Sequence, residues 1–167
     1  TLIGNIPYNL TSTILLALPD RRLCSKSLVM VQREVAERIL SSPGERNCGI
    51  LTVFLQSYMD IMKEIRVLPG SFRPRPKVES VVLSLSPALP ERGPDDREAF
   101  LAFLKLAFSQ RRKMLSSLFR DAFGMRDAGI QNRLGRGSGV EMKSRPEQLT
   151  LKEWFRLFRA YRQVSGN

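Results

Sequence analysis

The sequence predicts an α/β segment that supplies part of a sheet, followed by a small all-α domain. Three observations predict it. Short apolar runs alternate with helical patterns through residues 1–88, and amphipathic stripes at helical spacing fill residues 89–167. Between them stands Pro87-Ala88-Leu89-Pro90-Glu91-Arg92-Gly93-Pro94, whose prolines and glycine can continue neither a helix nor a central strand. The expected division is therefore 1–88 and 89–167.

The elements follow in order. Leu2 to Gly4 reads as the tail of a strand at the very start of a chain that lacks an initiator Met, so a fragment of a longer protein is expected. A helix is expected near Ser12 to Leu18. The continuous apolar run Leu28-Val29-Met30-Val31 suits a parallel strand buried on both faces. Glu34 to Leu40 has a helical pattern and is stopped by Ser41-Ser42-Pro43-Gly44, and Ile50 to Tyr58 places Leu51, Phe54, Leu55 and Tyr58 at helical spacing. Ile61 to Val67 and Val81 to Leu85 read as strands with no helix between them, hence antiparallel neighbours at the end of an otherwise parallel sheet. Beyond the linker, Phe100, Phe103, Leu104, Ala107 and Phe108 form one stripe and Leu115, Leu118, Phe119, Ala122 and Phe123 a second. Leu151, Trp154, Phe155 and Phe158 form a third.

Composition narrows the chemistry. Among 167 residues, 27 Lys and Arg stand against 16 Asp and Glu, a net charge of +11 that calls for a polyanionic partner. Residues 1–88 carry 11 basic and 7 acidic side chains and residues 89–167 carry 16 and 9, so the helical half is the more basic. Histidine is absent, which removes Ser-His-Asp and Cys-His nucleophiles, HExxH zinc sites and any imidazole base. Cys24 and Cys48 have no metal-ligand spacing, and no metal is expected. The apolar stretches are far shorter than the roughly twenty residues of a membrane helix. A reducing cytoplasm and no membrane partner are expected.

Three motifs carry chemistry. Asn5-Ile6-Pro7-Tyr8 follows a strand, where α/β sheets place ligands. An Asn side-chain oxygen and the carbonyl of a proline-fixed turn can accept hydrogen bonds from an exocyclic amine while a tyrosine stacks on its ring. Such a grip favours a pyramidal nitrogen with a localised lone pair and needs no histidine. In Phe72-Arg73-Pro74-Arg75-Pro76-Lys77-Val78 the prolines stiffen an extended loop, so Phe72 can close an aromatic clamp opposite Tyr8 on a swung-out base while Arg73, Arg75 and Lys77 hold phosphates. Ser109-Gln110-Arg111-Arg112-Lys113 lies between two amphipathic helices; three adjacent cations rarely serve a fold and suit RNA backbone contacts. Gly135-Arg136-Gly137-Ser138-Gly139 spells GxGxG but follows no strand, and reads as a flexible basic loop.

In this order the motifs resemble the ribosomal RNA adenine dimethyltransferases, the KsgA family. The likeness rests on Gly4-Asn5-Ile6-Pro7-Tyr8-Asn9 (GN[LI]PYN), Val31 to Arg38 (VQREVAER), Phe72 to Ser80 (FxPxPKVxS) and Phe108 to Lys113 (FSQRRK). Ser144 to Phe155 is similar to the family's closing RxExLsxxEF segment, with Pro146 in place of a small residue. The resemblance implies the C-terminal half of a class I, Rossmann-like methyltransferase sheet followed by a helical domain that docks on rRNA and the small ribosomal subunit. It implies transfer of methyl groups from S-adenosylmethionine to N6 of adjacent adenosines near the 3′ end of 16S rRNA during ribosome biogenesis. Asn5, Pro7 and Tyr8 would line the adenine pocket with Phe72 opposite, and Asn5 would also border the methyl donor.

The family's N-terminal portion, with its glycine-rich loop and ribose-binding acid, has no counterpart here. The chain alone is therefore expected to bind S-adenosylmethionine negligibly and to be inactive. The intact protein is expected to be monomeric, and this chain to self-associate through the bared sheet edge at Leu2 to Gly4. Two alternatives compete: a large-subunit rRNA adenine methyltransferase of the macrolide-resistance type, which shares NIPY and FxPxPKV, and a non-catalytic RNA-binding ribosome-assembly module.

Overall fold

A computed structural model describes residues 1–20, 25–89 and 92–166, with Tyr8 described by its backbone alone. Cys24 and the linker positions 90–91 lie outside the described residues. Four strands, β1 (Leu2–Asn5), β2 (Ser27–Gln32), β3 (Met59–Val67) and β4 (Ser80–Pro87), form one sheet of order β1-β2-β4-β3. β1 and β2 are parallel, and β4 runs antiparallel to both β2 and β3. The strands with no helix between them are thus antiparallel neighbours, as expected. Among the described residues β1–β2 is the one parallel pair.

Helices α1 (Thr11–Ala17), α2 (Arg33–Leu40) and α3 (Ile50–Tyr58) cover one face of the sheet. Leu15, Ala36, Ile39, Leu51 and Leu55 pack there on Val29, Val31, Val81, Leu83 and Leu85. Alternation along each strand sends the intervening side chains to the opposite face. The expectation that β2 is buried on both faces is corrected accordingly: Val29 and Val31 are buried, whereas Leu28 and Met30 are half-buried. On that second face Ile3, Met62 and Ile65 are exposed.

The C-terminal half is helical: α4 (Arg97–Ser109), α5 (Leu115–Asp121), α6 (Ala128–Ser138) and α7 (Leu151–Ser165). Its core is aromatic, with Phe100, Phe103, Phe119 and Trp154 fully buried and Phe103 touching the rings of Phe119, Trp154 and Phe158. Asp96 caps α4 through the Ala99 N–H, and Thr150 and Glu153 form a reciprocal capping box at α7. Helix α3 belongs to both cores, sending Leu51 and Leu55 to the sheet and Val53 and Phe54 to the helical cluster. The Tyr58 hydroxyl donates to the Pro94 carbonyl at 2.8 Å, which pins the linker, and burial pushes its phenol pKa well up. Gly93 passes so close to that ring that a Cβ would stand 2.6 Å from Tyr58 Cε1.

One expected loop is a helix. Gly135-Arg136-Gly137-Ser138 forms the end of α6, and Gly139 terminates it at φ 63°. Asp127 caps its start, Leu134 is buried, and the glycines allow close packing: a Cβ on Gly137 would lie 3.7 Å from Ala160 of α7, and one on Gly135 would lie 3.1 Å from Met142. Among the described residues no helix is long and apolar enough to cross a membrane.

Candidate active site and nucleic-acid interface

At the carboxyl end of β1 the exposed side chain of Asn5 makes no hydrogen bond among the described residues. Ile6 is buried, and its N–H donates to the Met30 carbonyl at 3.3 Å, which ties the turn to the end of β2. The Pro7 carbonyl accepts from the Leu10 N–H at 3.0 Å and from the Thr11 hydroxyl at 3.1 Å. A carbonyl has two lone pairs, and both are engaged. This corrects the expectation that the proline carbonyl faces a ligand: Pro7 shapes the turn, and the free backbone acceptor beside Asn5 is the carbonyl of Ile6, which has no partner among the described residues.

The loop from β3 to β4 comes back over this turn. After a single 3-10 turn (Pro69–Ser71) it places Phe72 half-buried, with a cis peptide between Arg73 and Pro74. Asn5, Ile6, Pro7, Phe72, Pro74, Pro76 and Ser80 enclose a cleft of about 280 Å³. Asn5, Pro7 and Phe72 are therefore brought together, as the sequence predicts. Tyr8 begins a 3-10 turn directly after them. Ile6 and Ser80 are additional walls; Ser80 is the last letter of the FxPxPKVxS segment, but nothing in that pattern marks it as facing a cavity.

The cations of the loop do not line this cleft. Arg75 and Lys77 face a second groove of about 790 Å³ beside Gln32, Arg33 and Glu34 of the β2–α2 junction. Arg73, Arg75 and Lys77 are exposed and have no ion-pair partner among the described residues. The loop is anchored instead by Glu79. Its carboxylate accepts from Arg66 at 2.6 and 3.0 Å and from Arg33 at 3.3 Å, while the Glu79 carbonyl takes the Arg33 N–H at 2.9 Å. The Arg66 hydrogen bond, aided by both guanidinium charges, holds the Glu79 carboxyl below the usual range.

A third, larger hollow of about 1400 Å³ lies between the α2–α3 loop, through Gly44 and Arg46, and the helical half, through Phe108 to Lys113 and Arg145 to Gln148. Here Arg111 is committed to the fold. It lies 2.7 Å from Glu147, and it donates to the carbonyl of Arg46. Lys113 pairs with Asp121 at 3.2 Å. The expectation that these cations do not serve the fold is corrected for Arg111 and Lys113. Arg112, Arg46 and Arg145 have no ion-pair partner among the described residues. Pro146 is buried as the first residue of a 3-10 turn, a position that suits its fixed φ.

Comparisons with known proteins bear on the fold and the family. A dimethyladenosine transferase from Plasmodium falciparum has the same fold, with a TM-score of 0.77 and 24% identity over 98% of this chain and 66% of that one. The 23S rRNA methyltransferase ErmE follows at 0.64 and 21%, over 95% of this chain and 63% of that one. The fold is therefore the C-terminal part of a Rossmann-like methyltransferase sheet with an appended helical region. The family model for ribosomal RNA adenine dimethylase matches residues 1–163, and the chain belongs to that family. The ribosomal RNA small subunit methyltransferase A of Geobacter metallireducens is 39% identical over 98% of this chain, and that of Syntrophotalea carbinolica is 40% identical over 93%. The chain spans about 60% of the length of the first of these relatives.

Proposed function

We propose that the intact protein is an S-adenosylmethionine-dependent rRNA adenine N6,N6-dimethyltransferase acting on adjacent adenosines near the 3′ end of 16S rRNA during ribosome biogenesis in the cytoplasm. The observation that carries this reading is one cleft lined by Asn5, Ile6 and Phe72, in which the Asn5 amide and the Ile6 carbonyl have no hydrogen-bond partner among the described residues. Small-ligand sites span about 300–1,000 Å³, so a volume near 280 Å³ suits one heterocycle. The two acceptors take the two N–H bonds of an exocyclic amine, and Phe72 stacks on the ring. An aryl amine is a weak nucleophile because its lone pair is delocalised. Pulling both protons favours a pyramidal nitrogen and turns that pair out of the ring plane. No base is required first, since the proton becomes acidic once the nitrogen is alkylated.

The residues of this chain do not fit S-adenosylmethionine as a whole. The cleft is filled by one base, no glycine-rich turn follows a strand, and of the donor's surroundings only Asn5 is assigned here. The chain alone is expected to show negligible affinity for it by calorimetry and no activity. Residues 1–88 act as the target-base unit and 89–167 as the unit that docks on rRNA and the small ribosomal subunit. Arg73, Arg75, Lys77 and Arg112 supply phosphate contacts, with Arg111 and Lys113 contributing what their ion pairs leave free. The intact protein is monomeric, whereas this chain self-associates through β1; a monomeric mass by light scattering at high concentration would count against that pairing.

The test is Asn5→Ala in the intact protein. Loss of a group that grips the reacting centre lowers kcat by about 10²–10³, with rRNA affinity unchanged. Full activity would sink the reading, and an intact wild-type protein that binds rRNA without methylating it would favour the assembly module. Methylation of large-subunit rRNA instead would favour the macrolide-resistance type.

A further inference from the structure

We infer that Ser80 reads the ring edge of the base in the Asn5–Phe72 cleft and so determines which heterocycle the site accepts; the inference rests on the proposed function and deepens it. Five serines are buried among the described residues: Ser27, Ser57, Ser80, Ser84 and Ser138. Ser57 donates to the Val53 carbonyl, Ser84 to Glu64 and Ser138 to the Leu134 carbonyl, and Ser27 also has an interaction partner. Ser80 is the exception. It is 2% exposed, lines the cleft, and its hydroxyl has no hydrogen-bond partner among the described residues. Among the described residues the enclosed side-chain polar atoms without a partner are Gln110 Oε1 and Trp154 Nε1; the Ser80 hydroxyl is not one of them, so it opens onto the cleft rather than being sealed in the core. A hydroxyl without a partner among the described residues, at the wall of a cleft that Ile6, Pro7, Phe72, Pro74 and Pro76 also line, is a place for a ligand atom.

Its position is fixed. Ser80 opens β4 and is paired with Gln32 on one side and Val67 on the other, so its backbone is held in the ladder from both edges. Asn5 pairs with Met30 and Met30 with Val82, two residues along from Ser80, which places Asn5 and Ser80 on the same face of the sheet. Two strand spacings separate them across the sheet, roughly 9–10 Å, and two residues along it, roughly 6–7 Å. A bicyclic base with a hydrogen bond at each edge bridges that separation.

The chemistry assigns a task. Asn5 and Ile6 recognise only an amine, and cytosine carries an exocyclic amine as adenine does. A hydroxyl on the far side donates to a ring nitrogen of a purine, which a single-ring base gripped at Asn5 does not reach. Ser80 thereby excludes cytosine and fixes the rotation of adenine about its amine.

The experiment uses the intact protein and small-subunit rRNA whose target adenosine is replaced in turn by 1-deaza-, 3-deaza- and 7-deazaadenosine. Wild type is expected to lose about three- to tenfold in kcat/KM on one analogue, the worth of one neutral hydrogen bond. Ser80→Ala loses the same on adenosine and nothing more on that analogue, while Ser80→Thr keeps the hydroxyl and restores the discrimination. The inference is overturned if Ser80→Ala stays within twofold of wild type on adenosine, or if its loss is multiplied equally by every analogue, as a purely structural effect would give. Wild type indifferent to all three analogues overturns it too, without need of a folded variant. Asn5→Ala is run alongside. If it keeps full activity the base is not in this cleft and the proposed function falls; if it is inactive while Ser80→Ala is normal, only the role of Ser80 falls.

Discussion

The two basic segments, residues 73–77 and 111–113, use the same kind of side chain for opposite ends. In the β3–β4 loop the three cations stand exposed and without ion pairs among the described residues, and the loop is held by other residues, Glu79 with Arg33 and Arg66. In the α4–α5 connection two of the three are consumed by Glu147 and Asp121. The difference follows from what lies nearby. Prolines at 74 and 76 make the first segment stiff without help from its charges. The second has to tie two helices to the α2–α3 loop, which Arg111 does by reaching both Glu147 and the Arg46 carbonyl. A run of cations is therefore evidence for a polyanion only after the partners of each have been counted.

Three variants would break or sharpen this contrast. Replacing Arg73, Arg75 and Lys77 together by alanine should lower the slope of log affinity for rRNA against log salt by about 2–3, each phosphate contact being worth about 0.7–0.9. Melting should change little, since exposed substitutions typically stay within about 0.5 kcal/mol each. An unchanged slope would mean these cations do not touch the backbone. Arg111→Ala should do the reverse, costing about 1–2 kcal/mol of stability because the pair is only partly screened from water, as read from denaturant unfolding. Its neighbour separates the two roles within one segment: Arg112→Ala should leave unfolding unchanged and lower the salt slope by about 0.7–0.9. Equal behaviour of the two variants would erase the distinction.

Much of the fold was legible because it rests on local pattern. The helix at Ile50 to Tyr58 and the antiparallel pairing of the two consecutive strands follow from periodicity and from the lack of a crossover segment. The meeting of Asn5 with Phe72 was anticipated through the family resemblance, which sets Phe72 opposite the Asn5 turn, and both line one cleft. What escaped the sequence is what depends on distant partners. Arg111 meets Glu147 across 36 positions and Arg33 meets Glu79 across 46, and neither pairing leaves a spacing to read. Residues 135–139 misled for a related reason. Their glycines suggest a loop, yet they are accepted in α6, where a Cβ on Gly135 would press on Met142 at 3.1 Å while one on Gly137 would make an ordinary contact with Ala160 of α7 at 3.7 Å. The engaged Pro7 carbonyl depends on a hydroxyl four residues on, which helix α1 turns back toward it.

The smallest expected effect concerns the anchor of the first segment. Glu79 titrates below the ordinary carboxylate value of about 4.3 because Arg66, foremost, and Arg33 favour its charged form. A carboxylate whose pKa is depressed by folding adds stability above its unfolded value and loses it as pH falls through the folded one. The stability difference between wild type and Glu79→Gln should therefore be constant from neutral pH down to about 4.3 and shrink below it. A carboxyl titration followed by NMR should place Glu79 below that value and move it upward in Arg66→Leu by more than in Arg33→Leu, because Arg66 makes two contacts, at 2.6 and 3.0 Å, against the single 3.3 Å contact of Arg33. If Arg33→Leu moved it further, the loop would be fastened to α2 rather than to β3, and the position of Phe72 would be set by the helix instead of by the neighbouring strand.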